Sequence, residues 1–140
     1  MGGLVIGVLS GGALSLAAML FLGVLHRYAL GPALAPFGDP ALFTEMSAWG
    51  LVVLILIRLV SAWLGSLLAV RLSDEPHAAW TGPAVIVLCA LATVLMGMSQ
   101  PLWSLILTLV LVLGLGWAIG RAHVGLPILP GRSGEADAGL

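Results

Sequence analysis

The stretch TEMSAWGLVVLILIRLVSAWLGSLLAVRL, residues 44–72, decides the fold because it is long and apolar enough to cross a bilayer. About 20 consecutive apolar residues span the hydrocarbon core as a helix. A single charge, Arg58, lies near the middle of this one. An arginine at that depth is costly, and an ionisable residue inside a membrane is by default a candidate functional site. The questions are therefore where Arg58 points and what it contacts.

The composition of the whole chain is typical of a membrane protein. Of its 140 residues, 61% are hydrophobic and 8% are charged, whereas soluble domains have about 25% charged residues. Its five basic residues and six acids give a net charge of -1, so the chain lacks the basic stripe that nucleic-acid binding needs. The single cysteine, Cys89, lies in an apolar run and is expected to be a small buried residue.

Four apolar segments predict an all-α integral membrane bundle of four transmembrane helices with short loops. We expect a transmembrane domain over residues 1–123, with helices at about 4–25, 47–70, 80–98 and 102–119. The second helix is expected to begin near Pro40, because Asp39-Pro40 has the form of a helix cap followed by proline. Its first turn or two would lie in the headgroup region, and its spanning part would begin at about Ser47. Residues 124–140 are predicted to form a flexible cytoplasmic tail. No positive residue precedes the first segment, so we expect no cleavage as a signal peptide.

Small residues at a spacing of four predict faces on which another helix backbone can approach closely. These residues are Gly3, Gly7, Gly11 and Ser15 in the first segment, Gly65 and Ala69 in the second, and Gly116 and Gly120 in the fourth. The spacing does not say which helix packs on each face, within this chain or in another.

Arg58 shares a helix face with the small residues Ser61 and Gly65, and this position predicts that it faces the interior of the bundle. Its counter-charge is not evident, because Glu45 lies about 20 Å away along the same helix and no other segment has an acid at mid-depth. The candidate intramembrane polar site consists of Arg58, Ser61, Thr93 and Thr108. Other polar groups within the segments are Ser10 and Ser15, with Gln100 and Ser104 nearer the outer face.

Three explanations of Arg58 follow from the sequence. In the first, it is structural and bonds to hydroxyls and carbonyls across helices, or extends along its aliphatic stem to an interface. In the second, its partner belongs to another chain. In the third, it faces a water-filled cavity and binds an anion or polar substrate.

The arginines outside the segments predict the orientation. With four crossings, Arg71, Arg121 and Arg132 lie on one side and Arg27 alone lies on the other. Basic residues favour the cytoplasm, so we expect both termini to be cytoplasmic. Four of the tryptophans are expected at the two interfaces, as an aromatic belt requires. Trp49 and Trp103 belong to the outer interface, and Trp80 and Trp117 belong to the cytoplasmic one.

No residue pattern predicts catalysis, a metal site or a cofactor. His26 falls on the opposite side from His77 and His123, and no carboxylate or cysteine completes a metal site at recognisable spacing. The Asp74-Glu75 pair is expected to be a solvated loop that caps the next helix. The chain has no nucleophile with an adjacent base and no Gly-rich phosphate loop.

The second half of the chain resembles a group of small uncharacterised bacterial four-helix membrane proteins. The resemblance lies in Ser61 to Gly65, Arg71-Leu72, Gln100-Pro101-Leu102-Trp103 and Gly116 to Gly120. In that group a Pro-Leu-Trp turn, often preceded by histidine, joins the third and fourth helices, and Gln100 takes the place of the histidine here. The resemblance implies four helices and a bacterial inner membrane.

We therefore expect a non-enzymatic protein of the bacterial inner membrane, in contact with the lipid bilayer and not with nucleic acid. The favoured role is association with itself or with a membrane-protein partner through the small-residue faces. The alternative is an oligomeric small channel or transporter in which Arg58 contacts an anionic or polar substrate.

Overall fold

The computed structural model describes residues 2–30, 46–97 and 100–125, which are mostly helical. The elements are α1 (Gly2–Leu30), α2 (Ala48–Ser73), a 3-10 helix (Pro76–Trp80), α3 (Thr81–Leu95) and α4 (Leu102–Gly125). Each of α1, α2 and α4 is long and apolar enough to cross a membrane, and the 3-10 helix with α3 makes the fourth span. The prediction of an all-α bundle with four membrane-spanning helices is confirmed.

The helix ends differ from the predicted ones in both directions. The first and last helices are longer than expected, because α1 continues through Arg27 to Leu30 and α4 continues to Gly125. Polar residues at the end of a span lie near the headgroups, where a helix still satisfies its own backbone. By contrast, α3 ends at Leu95, and Gly97 follows in a turn with φ of 77°.

The start of α2 corrects the expected start at Pro40. Met46 and Ser47 are not helical, and α2 begins at Ala48. The hydroxyl of Ser47 accepts a hydrogen bond of 3.1 Å from the backbone N–H of Gly50, so Ser47 is the residue that caps this helix. Asp39-Pro40 and the tail from residue 126 lie outside the described residues.

The central helix is α2, which contacts α1, α3, α4 and the 3-10 helix. Of its span, 44% is buried inside the bundle, compared with 17% for α1. The side chains that α1 turns outward are large and aliphatic or aromatic, for example Leu9 and Phe21. These are the side chains that lipid tails solvate best, so α1 lies at the periphery of the bundle.

The small residues of α1 and α2 pack against each other in an antiparallel crossing. A Cβ on Gly7 would lie 2.7 Å from the carbonyl oxygen of Ala69, and a Cβ on Gly11 would overlap the carbonyl oxygen of Gly65. A Cβ on Gly65 would in turn lie 2.6 Å from the Cβ of Ser15. Glycine is therefore required for this approach. The faces predicted from the small-residue spacing are used within the chain.

A hydrogen bond from a serine on α2 compensates for a proline at the start of the third span. Pro83 has no N–H, so it cannot donate to the carbonyl of Ala79, four residues earlier. The buried hydroxyl of Ser66 on α2 donates a hydrogen bond of 2.7 Å to that carbonyl instead. Next to this bond, Gly82 is so close to Ala62 of α2 that a Cβ would overlap its carbonyl oxygen.

The remaining predicted packing residues lie near one end of the bundle. A Cβ on Gly116 of α4 would lie 2.7 Å from Cγ of Pro83. A Cβ on Gly120 would lie 3.3 Å from the carbonyl oxygen of Pro76. Gly3 has an ordinary contact, with its Cβ position 3.8 Å from the carbonyl oxygen of Leu72.

The two ends of the bundle can now be defined. The start of α1, the loop at Asp74 and the last turns of α4 share one end, where Nε2 of His123 lies 3.5 Å from Oδ1 of Asp74. We name this the Asp74 end and the opposite one the Trp49 end. Exposed tryptophans are found near both, with Trp80 and Trp117 at the former and Trp49 and Trp103 at the latter.

Candidate functional site

Arg58 lies in the interior of the bundle, as its position on the small-residue face of α2 predicts. It is 5% exposed to solvent, whereas exposed tryptophans mark both ends of the bundle. Its position is about 15 Å along α2 from the first residue of that helix, given the helical rise of 1.5 Å per residue. The guanidinium therefore needs a partner that can be reached from inside the bilayer.

The partner is the side chain of Gln100. Nη1 of Arg58 donates a hydrogen bond of 3.1 Å to Oε1 of Gln100, which lies just before α4. Helical side chains tilt toward the N-terminus of their helix, and the N-terminus of α2 is at the Trp49 end. The long side chain of Arg58 thus places its charge closer to the Trp49 end, where Gln100 precedes α4.

Gln100 is held in place by the first turn of α4. Its Nε2 donates a hydrogen bond of 2.8 Å to Oγ of Ser104. The hydroxyl of Ser104 donates in turn to the carbonyl oxygen of Pro101 over 2.9 Å. Because the amide nitrogen is committed to Ser104, the amide oxygen of Gln100 is the atom left to face Arg58. These three residues form the Arg58–Gln100–Ser104 network.

The cost of burying Arg58 and the free energy of its hydrogen bond are similar in size, which favours a structural role for this network. Placing an arginine at the centre of a span costs about 3 kcal/mol on insertion scales. A hydrogen bond to a charged group contributes about 1.5–3 kcal/mol. One such bond, together with the displacement of the charge toward the Trp49 end, offsets most of the cost. No carboxylate is needed to explain the burial of Arg58.

The other members of the predicted polar site bond to their own helices. The hydroxyl of Ser61 donates to the carbonyl oxygen of Ile57 at 2.8 Å, and that of Thr93 donates to Ala90 at 2.7 Å. The hydroxyl of Thr108 donates to the carbonyl oxygen of Ser104 at 2.7 Å. The structure therefore does not link Ser61, Thr93 or Thr108 to Arg58 by a hydrogen bond.

Gln100 and Ser104 were not part of the predicted site because the sequence places them nearer the end of a span. The signal that could have identified them is the direction of the arginine side chain. An arginine on α2 extends toward the N-terminus of that helix. Its partners therefore lie one or two helical turns closer to the Trp49 end than its own Cα does.

Two further polar groups lie on the helices that surround Arg58. Cys89 on α3 is half-buried, whereas the sequence predicts a buried residue. Oγ of Ser15 is fully buried against Gly65 and has no hydrogen-bond partner within the described part of the chain. Among residues 2–30, 46–97 and 100–125, no three metal-ligating side chains come together.

Two grooves flank α4 at the Asp74 end. The α2/α4 groove has a volume of about 440 Å³, and its lining includes Trp63, Leu67, Arg71, Ala118, Ala122 and His123. The 3-10/α4 groove has a volume of about 390 Å³, and its lining includes His77, Trp80, Gly116, Trp117, Gly120 and Arg121. Each groove combines tryptophan walls with an arginine and a histidine.

The likeness of the Pro101-Leu102-Trp103 turn to small bacterial membrane proteins stays a prediction. No family model, no curated protein and no solved structure matches the chain.

Proposed function

We propose that this chain is a non-catalytic, multi-pass protein of the bacterial inner membrane whose role is association within the bilayer. The partner is a second copy of the chain, and the contact surface is the α2/α4 groove with the row of small residues beside it. This row consists of Gly114, Ala118 and Ala122, spaced by four on the outer face of α4.

The observation that carries the proposal is that this row is open. The glycines of the α1/α2 crossing and Gly82 lie against another helix of the chain, so tightly that a Cβ would clash. Gly114 has nothing within 4 Å of its Cβ position, and Ala118 and Ala122 are exposed. The sequence predicts association through small-residue rows, but those of α1 and α2 already pack against each other within the chain. We therefore assign the association to the open row on α4.

Small-residue rows drive helix association in membranes because they allow backbones to approach closely. Lipid tails solvate leucine as well as another helix does, so aliphatic surface alone gives little driving force. A row of this kind is also self-complementary: in a two-fold dimer the same row meets itself. Both copies have the same orientation in the membrane, so a parallel pair of α4 helices satisfies the symmetry.

The transport alternative has less support. A path for an ion or polar substrate needs polar groups on one stripe across the membrane. Nη1 of Arg58 is bonded to Gln100, and the hydroxyls of Ser61 and Thr108 are bonded to their own helices. These three polar groups are thus engaged in hydrogen bonds within the protein and are not free to line a path.

The association is tested by fluorescence energy transfer between labelled copies in lipid vesicles, with native mass measurement in detergent as a second readout. The wild type is expected to form dimers. Gly114→Ile or Ala118→Ile should weaken dimerisation about tenfold or more, because the added side chain separates the backbones. Gly23→Ile is the matched control, since the Cβ position of Gly23 on α1 is also free of neighbours.

A wild type that is monomeric, or a Gly114→Ile variant that dimerises like Gly23→Ile, would refute self-association. A monomeric wild type that cross-links from position 118 to a different membrane protein would replace the second copy by that partner.

We also propose that the Asp74 end and both termini are cytoplasmic, because Arg71 and Arg121 lie at this end and Arg27 lies at the last turn of α1. In a Cys89→Ser background, a cysteine introduced at Gly38 should react with an impermeant maleimide added outside the cell. A cysteine introduced at Glu75 should react only after lysis. The opposite pattern would invert the orientation.

A further inference from the structure

The 3-10/α4 groove has an architecture different from that of the α2/α4 groove. Its lining includes the indole rings of Trp80 and Trp117 together with Gly116 and Gly120. At Gly116 the backbone of α4 packs closely against Trp80 and Pro83, since a Cβ there would lie 3.2 Å from Cε3 of Trp80 and 2.7 Å from Cγ of Pro83. The groove is a slot of about 390 Å³ with apolar walls at one end of the membrane-spanning region.

We propose that this slot binds one anionic phospholipid, with an acyl chain between the tryptophans and the phosphate at Arg121. This inference does not rest on the proposed dimer, because none of the residues that line the slot belongs to the row Gly114, Ala118 and Ala122.

The charge of the groove matches a phosphate. The guanidinium carbon of Arg121 lies 5.0 Å from the ring centroid of Trp117, so the cation is oriented over the aromatic wall. An arginine fork binds phosphate oxygens in pairs. None of the lining residues is acidic, and Glu75, the nearest acid along the chain, is exposed. A zwitterionic lipid would bring its own cation to the site and gain less from Arg121.

Exposed aliphatic side chains on α3 and α4 are available to the apolar part of the ligand. Toward the membrane centre, α4 exposes Leu113 and Val110, and α3 exposes Leu88. Arg121 is one helical turn beyond Trp117, about 6 Å further toward the water. This order of aliphatic, aromatic and cationic groups follows the order of acyl chain, glycerol backbone and phosphate in a lipid. A free phosphate would use only the last of the three.

The α2/α4 groove supplies a contrast at the same end of the bundle. It also contains an arginine, Arg71, but its histidine, His123, lies against the carboxylate of Asp74. That carboxylate opposes the binding of a second anion. Arg71 is exposed like Arg121, so Arg71→Gln is a control that removes the same charge from a groove not expected to select anionic lipid.

The test is native mass spectrometry of the full chain in detergent with equal amounts of phosphatidylglycerol and phosphatidylcholine of identical acyl chains. One basic residue near an anionic headgroup is worth about fivefold in affinity. The wild type should therefore retain phosphatidylglycerol about fivefold more than phosphatidylcholine. Arg121→Gln should abolish this preference, Arg121→Lys should keep most of it, and Arg71→Gln should keep all of it. Trp117→Leu should lower total lipid retention by removing one wall.

Four results would overturn the proposal. The wild type could show no preference between the two lipids, or Arg71→Gln could reduce the preference as much as Arg121→Gln does. An excess of glycerol 3-phosphate could displace the phosphatidylglycerol, which would make the site one for soluble phosphates. A photoreactive group at position 117 could capture a polypeptide and no lipid. If Arg121→Gln fails to fold, the proposal is tested by three other measurements. These are the lipid preference of the wild type, the preference of Arg121→Lys and the total lipid retention of Trp117→Leu.

Discussion

The guanidinium of Arg58 on α2 and the side-chain amide of Gln100 before α4 are joined by a hydrogen bond of 3.1 Å between Nη1 and Oε1. The two residues are 42 positions apart, so the bond closes a long loop of chain. It fixes the start of α4 against the centre of α2. It also gives a buried cation a neutral partner in place of a carboxylate.

The effects of removing Arg58 and Gln100 should be unequal. Gln100→Leu leaves a buried cation without its acceptor and should lower the free energy of unfolding by about 2–3 kcal/mol. Arg58→Leu removes the charge together with its desolvation cost and should have a smaller effect. The double variant should resemble Arg58→Leu, because no cation remains for Gln100 to satisfy. Unfolding in detergent of all four proteins measures the coupling, and a Gln100→Leu that is no less stable than Arg58→Leu would contradict this account.

Gly11→Ala tests the α1/α2 crossing. The added Cβ would overlap the carbonyl oxygen of Gly65 and lie 2.7 Å from the Cβ of Ala69. Separating the two helices should cost about 2 kcal/mol, which is typical of overpacking in a tight contact. The matched control is Gly23→Ala on the same helix, where nothing lies within 4 Å of the new atom. Alanine has the better helix propensity, so the control should be neutral or slightly more stable. Equal stability of the two variants would show that the crossing is looser than described.

Ser66→Ala tests the hydrogen bond between α2 and the 3-10 helix. Without the hydroxyl, the carbonyl of Ala79 loses the donor that compensates for Pro83, at a cost of about 1–2 kcal/mol. Ser61→Ala is the matched control, because the Ser61 hydroxyl is equally buried and bonds only to Ile57 in its own helix. That carbonyl is already an acceptor in the helical backbone, so the control should lose much less. Thermal unfolding followed by tryptophan fluorescence compares the two variants, and a larger loss for Ser61→Ala would be evidence against this assignment.

Asp74 ends α2 in the left-handed conformation, with φ of 55° and ψ of 28°. Aspartate tolerates this region better than most residues, and glycine adopts it without strain. Both Asp74→Gly and Asp74→Ala remove the contact with His123, so their difference isolates the backbone. Asp74→Ala should be less stable than Asp74→Gly by about 1 kcal/mol. The exposed contact itself should contribute little, which His123→Ala measures. The idea fails if the alanine variant is as stable as the glycine variant.

Several features were predictable because they depend on local chemistry. Apolar length fixed the number of spans, since a run such as residues 48–73 leaves a helix as the only way to satisfy its backbone inside lipid. Helical periodicity placed Arg58 on an inward face. Small residues spaced by four marked the packing faces of α1 and α2. The exact ends were less predictable: α1 continued past Arg27 because polar residues near the headgroups do not interrupt backbone hydrogen bonding.

The partners of these faces were not predictable. Spacing by four says that a backbone comes close but does not name it, so the pairing of Gly11 with Gly65 had to come from the structure. The same holds for Ser66 and Ala79, whose bond depends on where the 3-10 helix lies against α2. It holds also for Gly114, whose row resembles the others in sequence and differs only in being left uncovered.

The sequence by itself determined that the chain is an all-helical bundle with four spans and an inward arginine, because hydropathy and helical period are properties of single segments. Only the tertiary structure decided that Arg58 is satisfied by Gln100 and that one small-residue row stays open. The physical reason is that a hydrogen bond or a close backbone contact between helices depends on their relative depth and rotation. No single segment encodes those two quantities; they emerge when all four helices pack together.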